Sequence, residues 1–196
     1  LHRLHTMQRL FVAIELSDET KEGLHALQEA FAPHLSRGIR IRWTEPQNLH
    51  LTLKFLGATE DDLVSEVAGL VDRAAGTVEP FELSARGIGA FPKPNYPRIL
   101  WAGVDEESAG LLAPLHTYLE DALVDPPFDV DRDEHPFAAH ITIGRVKSSR
   151  APKLTKIRDA IPQGPYGTTD VDALTLFESN VDHSGPDYRI VHRSPL

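Results

Sequence analysis

The chain of 196 residues has no cysteine. That excludes disulfides, thiolate metal sites and a cysteine nucleophile, and it is consistent with a cytoplasmic protein. No apolar run approaches the roughly 18 residues that a membrane helix needs, and no signal peptide is visible, so no membrane association is expected. Basic residues are in the minority, 20 Lys and Arg against 29 Asp and Glu, for a net charge of −9. Such a balance argues against a protein that coats nucleic acid through backbone electrostatics. An anionic ligand would have to find its positive charge locally. Glycine-rich phosphate loops are missing too: Gly87-x-Gly89 lacks the third glycine and the helix of a dinucleotide site, and no Walker-type loop exists, which argues against an ATP-dependent ligase. Asp129 to Glu134 imitates the start of a calcium loop, but Glu134 and His140 stand where glycine and glutamate are required. A zinc site on His135 and His140 lacks helical spacing and a third ligand, so no metal is expected.

What the chain does have is one device used twice. In Asn48 to Gly57 (NLHLTLKFLG), Leu49, Leu51, Leu53 and Phe55 alternate with His50, Thr52 and Lys54. This is the period-2 pattern of a strand with one buried face, which puts His50 and Thr52 on the polar face. About 90 residues later, Ala139-His140-Ile141-Thr142-Ile143 repeats it. With apolar residues required after the histidine and after the threonine, roughly 0.1 such sites are expected by chance. Two strands that each present a His-x-Thr pair are most simply explained by a shared ligand. Arg40, Arg42 and Lys54 cluster around the first motif, and Arg145, Lys147 and Arg150 follow the second.

The rest of the chain supplies a scaffold. The only methionine, Met7, is expected to mark the natural start, with residues 1–6 an extension or remnant. Arg9 to Leu16 reads as a buried strand, followed by a helix capped at Ser17 or Asp18 that carries Leu24, Leu27 and Phe31 and stops at Pro33. Ile39 to Trp43 is a short strand. Gly57 is expected to close the first motif strand, before a helix carrying Leu63, Val67, Leu70 and Val71. Extended structure resumes at Phe81 with a bulge or turn at Gly87 and Gly89, and Phe91 to Asn95 is expected to be an exposed loop. A strand from Ile99 to Val104 leads into a helix over Glu106 to Leu123, and an acidic loop over Asp125 to Pro136 leads to the second motif. A short helix near Lys153 to Ala160, a Gly- and Pro-rich loop, and a closing hairpin over Val171–Val181 and Tyr188–His192 complete the chain. Several strand pairs are joined by turns too short for parallel crossovers, which favours an α+β fold of antiparallel sheets backed by helices. The repeated motif predicts two lobes in one domain, residues 7–196, related by an approximate two-fold around a cleft.

Two imidazoles across a cleft can act as general base and general acid, a pair suited to in-line displacement at phosphorus. Threonine hydroxyls on the same faces can donate to non-bridging phosphate oxygens. Arg145 lies on the wrong face of a regular strand, but a bulge or strand end at Gly144 would swing its guanidinium towards the phosphate. The other histidines, His25, His34, His116, His183 and His192, read as surface or packing residues.

At RLFVAIEL, His50-Leu51-Thr52-Leu53 with KFLG, His140-Ile141-Thr142-Ile143 with Gly144-Arg145, and YRIVHRSPL, the chain resembles the 2H phosphoesterase superfamily. Within it, the chain is most similar to the RNA 2′,3′-cyclic phosphodiesterases, also called 2′-5′ RNA ligases, over Met7 to Leu196. The resemblance implies a bilobal fold without a metal cofactor and a monomer acting on RNA 3′ ends or short oligonucleotides with a terminal 2′,3′-cyclic phosphate. It implies His50 as proton donor to ribose O3′, His140 as the base that activates water, and Thr52, Thr142 and Arg145 as the phosphate cradle. Weak reverse 2′-5′ joining is implied as well. A phosphodiesterase of cyclic nucleotides or 2′-5′ oligoadenylates is the alternative within the enzyme class; a non-catalytic RNA-end-binding module is the rival outside it. Both histidines are needed only by an enzyme.

Overall fold

The computed structural model describes residues 6–196, and the expectation for the first six residues lies almost wholly outside them. Thr6 is described; its hydroxyl donates to Asp61.

Two antiparallel sheets form the frame. The first has the order β3-β1-β8-β9, from β3 (His50–Glu60), β1 (Met7–Glu15), β8 (Ala173–Asp182) and β9 (Gly185–Pro195). The second has the order β2-β6-β5-β4-β7, from β2 (Ile41–Trp43), β6 (Ile141–Val146), β5 (Tyr96–Val104), β4 (Phe81–Lys93) and β7 (Gly167–Val171). Each sheet thus holds one of the two motifs. Helix α1 (Asp18–Phe31) packs on β6 and β7, α2 (Val64–Ala75) on β8 and β9, and α3 (Glu106–Leu123) on α2 and β3; α4 (Leu154–Ile157) is a single turn.

One core joins the lobes. Leu10, Val12 and Ile14 of β1 and Leu51 and Leu53 of β3 share it with Leu24, Leu27 and Phe31 of α1 and with Leu100, Ile141 and Ile143 of the second sheet. Burial of that apolar area, at roughly 25 cal/mol per Å², is what holds both sheets to the helices. Ser17 caps α1 as expected, its Oγ accepting from the Thr20 N–H, and Asp105 caps α3 in the same way at Ser108. Gln28 of α1 ties the sheet ends together by donating to the carbonyls of Thr44 and Ile143.

Four local expectations are corrected. Gly57 does not close β3: it takes a φ of +73°, which glycine tolerates without strain, and still pairs with Leu10 while the strand runs on to Glu60. The Phe91–Asn95 loop is instead the tip of a β4–β5 hairpin, with Phe91 paired to Ile99 and Lys93 to Tyr96. The Gly- and Pro-rich stretch contains β7, an edge strand paired to β4 and bonded to α1 through Thr169 and Thr20. The last correction concerns Lys54 and Phe55, which exchange faces. Opposite β1, Leu53 is an extra residue between the pairs Ala13–Thr52 and Val12–Lys54, so the alternation slips by one. Lys54 then points into the protein, 2% exposed, while Phe55, expected inside, stands 65% exposed on the face of His50 and Thr52.

Candidate active site

His50 is the first residue of β3, and its ring sits in an aromatic cage. Phe11 lies 5.0 Å away, Phe177 6.3 Å, and Tyr188 meets it edge-on at 5.2 Å between centroids. Nδ1 is 2.7 Å from the carbonyl of Asn48, two residues earlier, and therefore carries a hydrogen; Nε2 is 2.8 Å from the Thr52 hydroxyl. Nε2 is thus the nitrogen left to exchange a proton with a ligand.

His140 repeats the arrangement. It is the last residue of the loop that enters β6, and its Nδ1 is 2.7 Å from the carbonyl of Ala138, again two residues earlier. Among the described residues, its Nε2 has no protein partner. Phe91 packs edge-on at 5.0 Å and Trp101 lies 6.1 Å away. A Cβ on Gly89 would fall 2.1 Å from the Trp101 ring, so only glycine leaves room for that wall.

Burial and nearby positive charge act on each ring. Burial, first, and then the charge of His140 hold the His50 proton affinity below the ordinary histidine value, against the Asn48 hydrogen bond; Lys21 adds to the lowering. His140 is lowered by burial and by Arg145, against its bond to Ala138. Arg145 also acts on the hydroxyl of Tyr188, the residue that cages His50; burial outweighs it and raises that phenol. The charge of Arg145 thus acts on residues of both halves of the site.

The second strand slips as the first does. Ile143 is an extra residue between the pairs Trp101–Thr142 and Leu100–Gly144, which returns Arg145 to the face of Thr142. The expected bulge is thus present, one residue before Gly144. Gly144 itself faces the core, where a Cβ would lie 2.8 Å from Ile41 and Trp43. Arg42 pairs with Arg145 across β2 and β6, and the β8–β9 turn reaches over to them: a Cβ on Gly185 would meet the Arg42 guanidinium at 2.0 Å. The Asn48 amide fixes the same turn by donating to the Pro186 carbonyl at 3.1 Å.

The sequence reading missed the aromatic walls. Phe11 looked like one more buried residue of RLFVAIEL, yet with Ala13, Phe177 and Tyr188 it forms a second cluster on the face opposite the core. Lys54 does not join the basic residues near the site; it is buried among Glu120, Asp133 and His116. Those three acidic and imidazole side chains are spaced to hold a cation, and the Lys54 ammonium is hydrogen-bonded to two of them.

A family model described as LigT like Phosphoesterase matches residues 14–101, which include the first motif. The RNA 2′,3′-cyclic phosphodiesterase of Archaeoglobus fulgidus is 33% identical over 181 residues, 92% of this chain and 96% of that protein. The chain belongs to the LigT-like phosphoesterase family. The RNA 2′,3′-cyclic phosphodiesterase of Methanothermobacter thermautotrophicus is another LigT-like relative, 32% identical over 92% of this chain and 94% of its own length. Among solved LigT-like structures, one from Thermus thermophilus superposes with a TM-score of 0.76 at 29% identity, covering 96% of this chain and 97% of that one. Escherichia coli LigT complexed with 3′-AMP gives 0.72 at 25% identity, covering 97% and 98%. Both neighbours span the two lobes.

Proposed function

We propose that this LigT-like phosphoesterase opens terminal 2′,3′-cyclic phosphodiesters of RNA to 2′-phosphomonoesters, using its two histidines and no metal. The observation that carries the reading is the paired pinning of the imidazoles: each Nδ1 is bonded at 2.7 Å to the carbonyl two residues earlier, so each Nε2 is the working nitrogen. The relatives named RNA 2′,3′-cyclic phosphodiesterase support the substrate, and the neighbour complexed with 3′-AMP supports a ribonucleotide phosphate as the kind of ligand.

In this mechanism neutral His140 takes a proton from water as its oxygen attacks phosphorus, and the P–O3′ bond breaks on the opposite side. His50, protonated, gives its Nε2 proton to the departing O3′. Proton exchange with solvent restores both rings. Thr52, Thr142 and Arg145 hold the non-bridging oxygens as charge builds there. The Thr52 hydroxyl has a second role. While His50 is neutral, the hydroxyl donates to Nε2; once the ring is protonated, the hydroxyl hydrogen is released to face the phosphate. An anion in the cleft also raises both depressed histidines, so substrate binding itself favours loading the acid. With a 5′-hydroxyl RNA end in place of water as the attacking group, the same steps give weak 2′-5′ joining.

The test is incubation with an RNA that ends in a 2′,3′-cyclic phosphate, with EDTA present. A 2′-phosphate product is expected. A 3′-phosphate product, or activity that EDTA abolishes and magnesium or zinc restores, would overturn the assignment. Turnover of 2′-5′ oligoadenylate alone would move the substrate within the enzyme class.

A further inference from the structure

Between α3 and β6, residues 124–140 form neither helix nor strand, and His140 is the last of them. The position of that imidazole is therefore set by the loop, since its ring is held by the carbonyl of Ala138 inside the same loop. A stretch of this length without regular structure is placed only by what its side chains and backbone touch. Val130 donates to the Leu123 carbonyl, Arg132 pairs with Asp121 of α3, and Phe128, Val130 and Phe137 pack on the core. The polar contacts nearest the second motif, however, converge on one atom. Lys54 Nζ, whose side chain is 1% exposed, donates to the Asp131 carbonyl at 2.9 Å, to Asp133 Oδ1 at 2.8 Å and to Glu120 of α3. Glu120 in turn accepts from the Asp133 N–H at 3.1 Å. His116 of α3 donates to Asp133 Oδ2 at 2.9 Å, and Phe137 of the loop lies flat on its ring at 4.4 Å. Lys54 is four residues beyond His50 and two beyond Thr52 on the same strand.

We propose that Lys54 is a positioning residue for the reaction, the link through which the strand bearing His50 sets the place of His140. A buried ammonium with three acceptors fixes direction as well as distance, which an apolar contact of the same volume would not do. Asp133 bears the mark of the arrangement: burial works against its ionisation, yet the hydrogen bonds and charges of Lys54 and His116 hold its carboxyl below the usual range. The inference rests on His140 being one of the two working groups. It adds that the distance between the imidazoles depends on a side chain that touches neither of them.

Lys54→Met keeps the length and removes the charge. Its kcat on the cyclic-phosphate RNA is expected to fall about 10- to 100-fold with KM little changed, because a displacement near 1 Å carries a loss of this order. The same loss is expected on an activated nitrophenyl diester, which still needs His140. Since the chain has no cysteine, Lys54→Cys can be aminoethylated at a single position while unfolded and then refolded, restoring the ammonium; carbamidomethylation is the neutral control. Recovery of kcat with the aminoethyl group alone supports the proposal. A Lys54→Met enzyme that melts lower but turns over at the wild-type rate would overturn it, as would an aminoethylated protein that regains stability without activity. If Lys54→Met does not fold, Lys54→Met/Glu120→Met removes the buried one of the two unpaired acids, leaving the half-exposed Asp133 with His116. Wild-type kcat in this folded double variant would also overturn the proposal. The His140 ring signals in NMR, expected to move in the Lys54 variants while those of His50 stay, read the geometry without any substrate. A wild type inactive on cyclic phosphate would thus sink the assigned reaction and leave the role of Lys54 to be judged on those signals.

Discussion

The two motifs slip alike after the threonine, but the side chains that follow differ. In β3 and β6 alike, the residue after the threonine is the extra one, Leu53 or Ile143, and the next two residues change faces. The inward position holds Lys54 in one strand and Gly144 in the other; the outward position holds Phe55 in one and Arg145 in the other. Each difference has a physical reason. Inward from β3 lie Glu120 and Asp133, which need a cation, whereas inward from β6 the rings and methyls of Trp43 and Ile41 leave no space for a side chain. Outward, one lobe offers a cation to the shared cleft and the other an aromatic ring, 5.7 Å from Phe11. The two motifs share the backbone slip after the threonine, and the chemistry is divided between them.

The largest expected effect tests whether that division extends to the histidines. Replacing His50 or His140 with Ala should each cost roughly 10²–10⁴ in turnover on cyclic-phosphate RNA, the range for a positioned acid or base. On a nitrophenyl diester, whose leaving group needs no proton, His50→Ala should recover most of its loss and His140→Ala should not. Rescue of His140→Ala in place of His50→Ala would reverse the two roles.

Next in size is the outward pair. Arg145→Ala should raise KM and lower kcat together, about 2 kcal/mol in kcat/KM for a charge-assisted contact to phosphate. Phe55→Ala should leave the hydrolysis of a minimal nitrophenyl diester within a factor of two or so, since no phosphate contact is assigned to it. Steady-state kinetics on that one substrate compares them, and equal losses would show the outward positions to be equivalent after all.

The inward pair should differ in stability. Gly144→Ala forces a methyl against Ile41 and Trp43 and should cost about 1–3 kcal/mol, the usual range for overpacking. Urea titration measures it. A neutral result would mean that β2 moves aside freely.

The smallest effect separates the two imidazoles by charge. Both titrate below the ordinary histidine value, so in the free enzyme one proton on the pair is present only on the acidic side of about 6.5. The kcat/KM profile should be a bell centred below that value, its two flanks belonging to the coupled pair. Lys21→Gln removes a positive neighbour of His50 and should raise that ring's midpoint alone; Arg145→Gln should raise that of His140. Ring-proton NMR titrations read each directly, and an upward move of both rings in either variant would show that the charges are shared by the whole cleft.

Much of this protein can be read from its amino acids alone. The period-2 pattern at Leu49 to Leu53, the capping serine Ser17 and the span of α3 from Glu106 to Leu123 depend on neighbours within a few residues, and the structure agrees with each. So do His50, Thr52, His140 and Thr142 as outward-facing pairs, because alternation over three residues needs no partner strand. Beyond the threonine, Gly144 hinted at the bulge in the second motif, but in the first motif tertiary structure alone decided the outcome. Whether a strand keeps its phase there depends on the register of the strand beside it, and a single extra residue at Leu53 sent Lys54 inward and Phe55 outward against the local pattern. β7 escaped notice because Gly167 to Val171 becomes a strand only when β4 and the Thr20 hydroxyl supply its bonds. The loop before His140 shows no local pattern at all. Its Asp131 and Asp133 are gathered by a lysine some 80 residues earlier in the chain, since a buried cation must find acceptors wherever the fold brings them within reach.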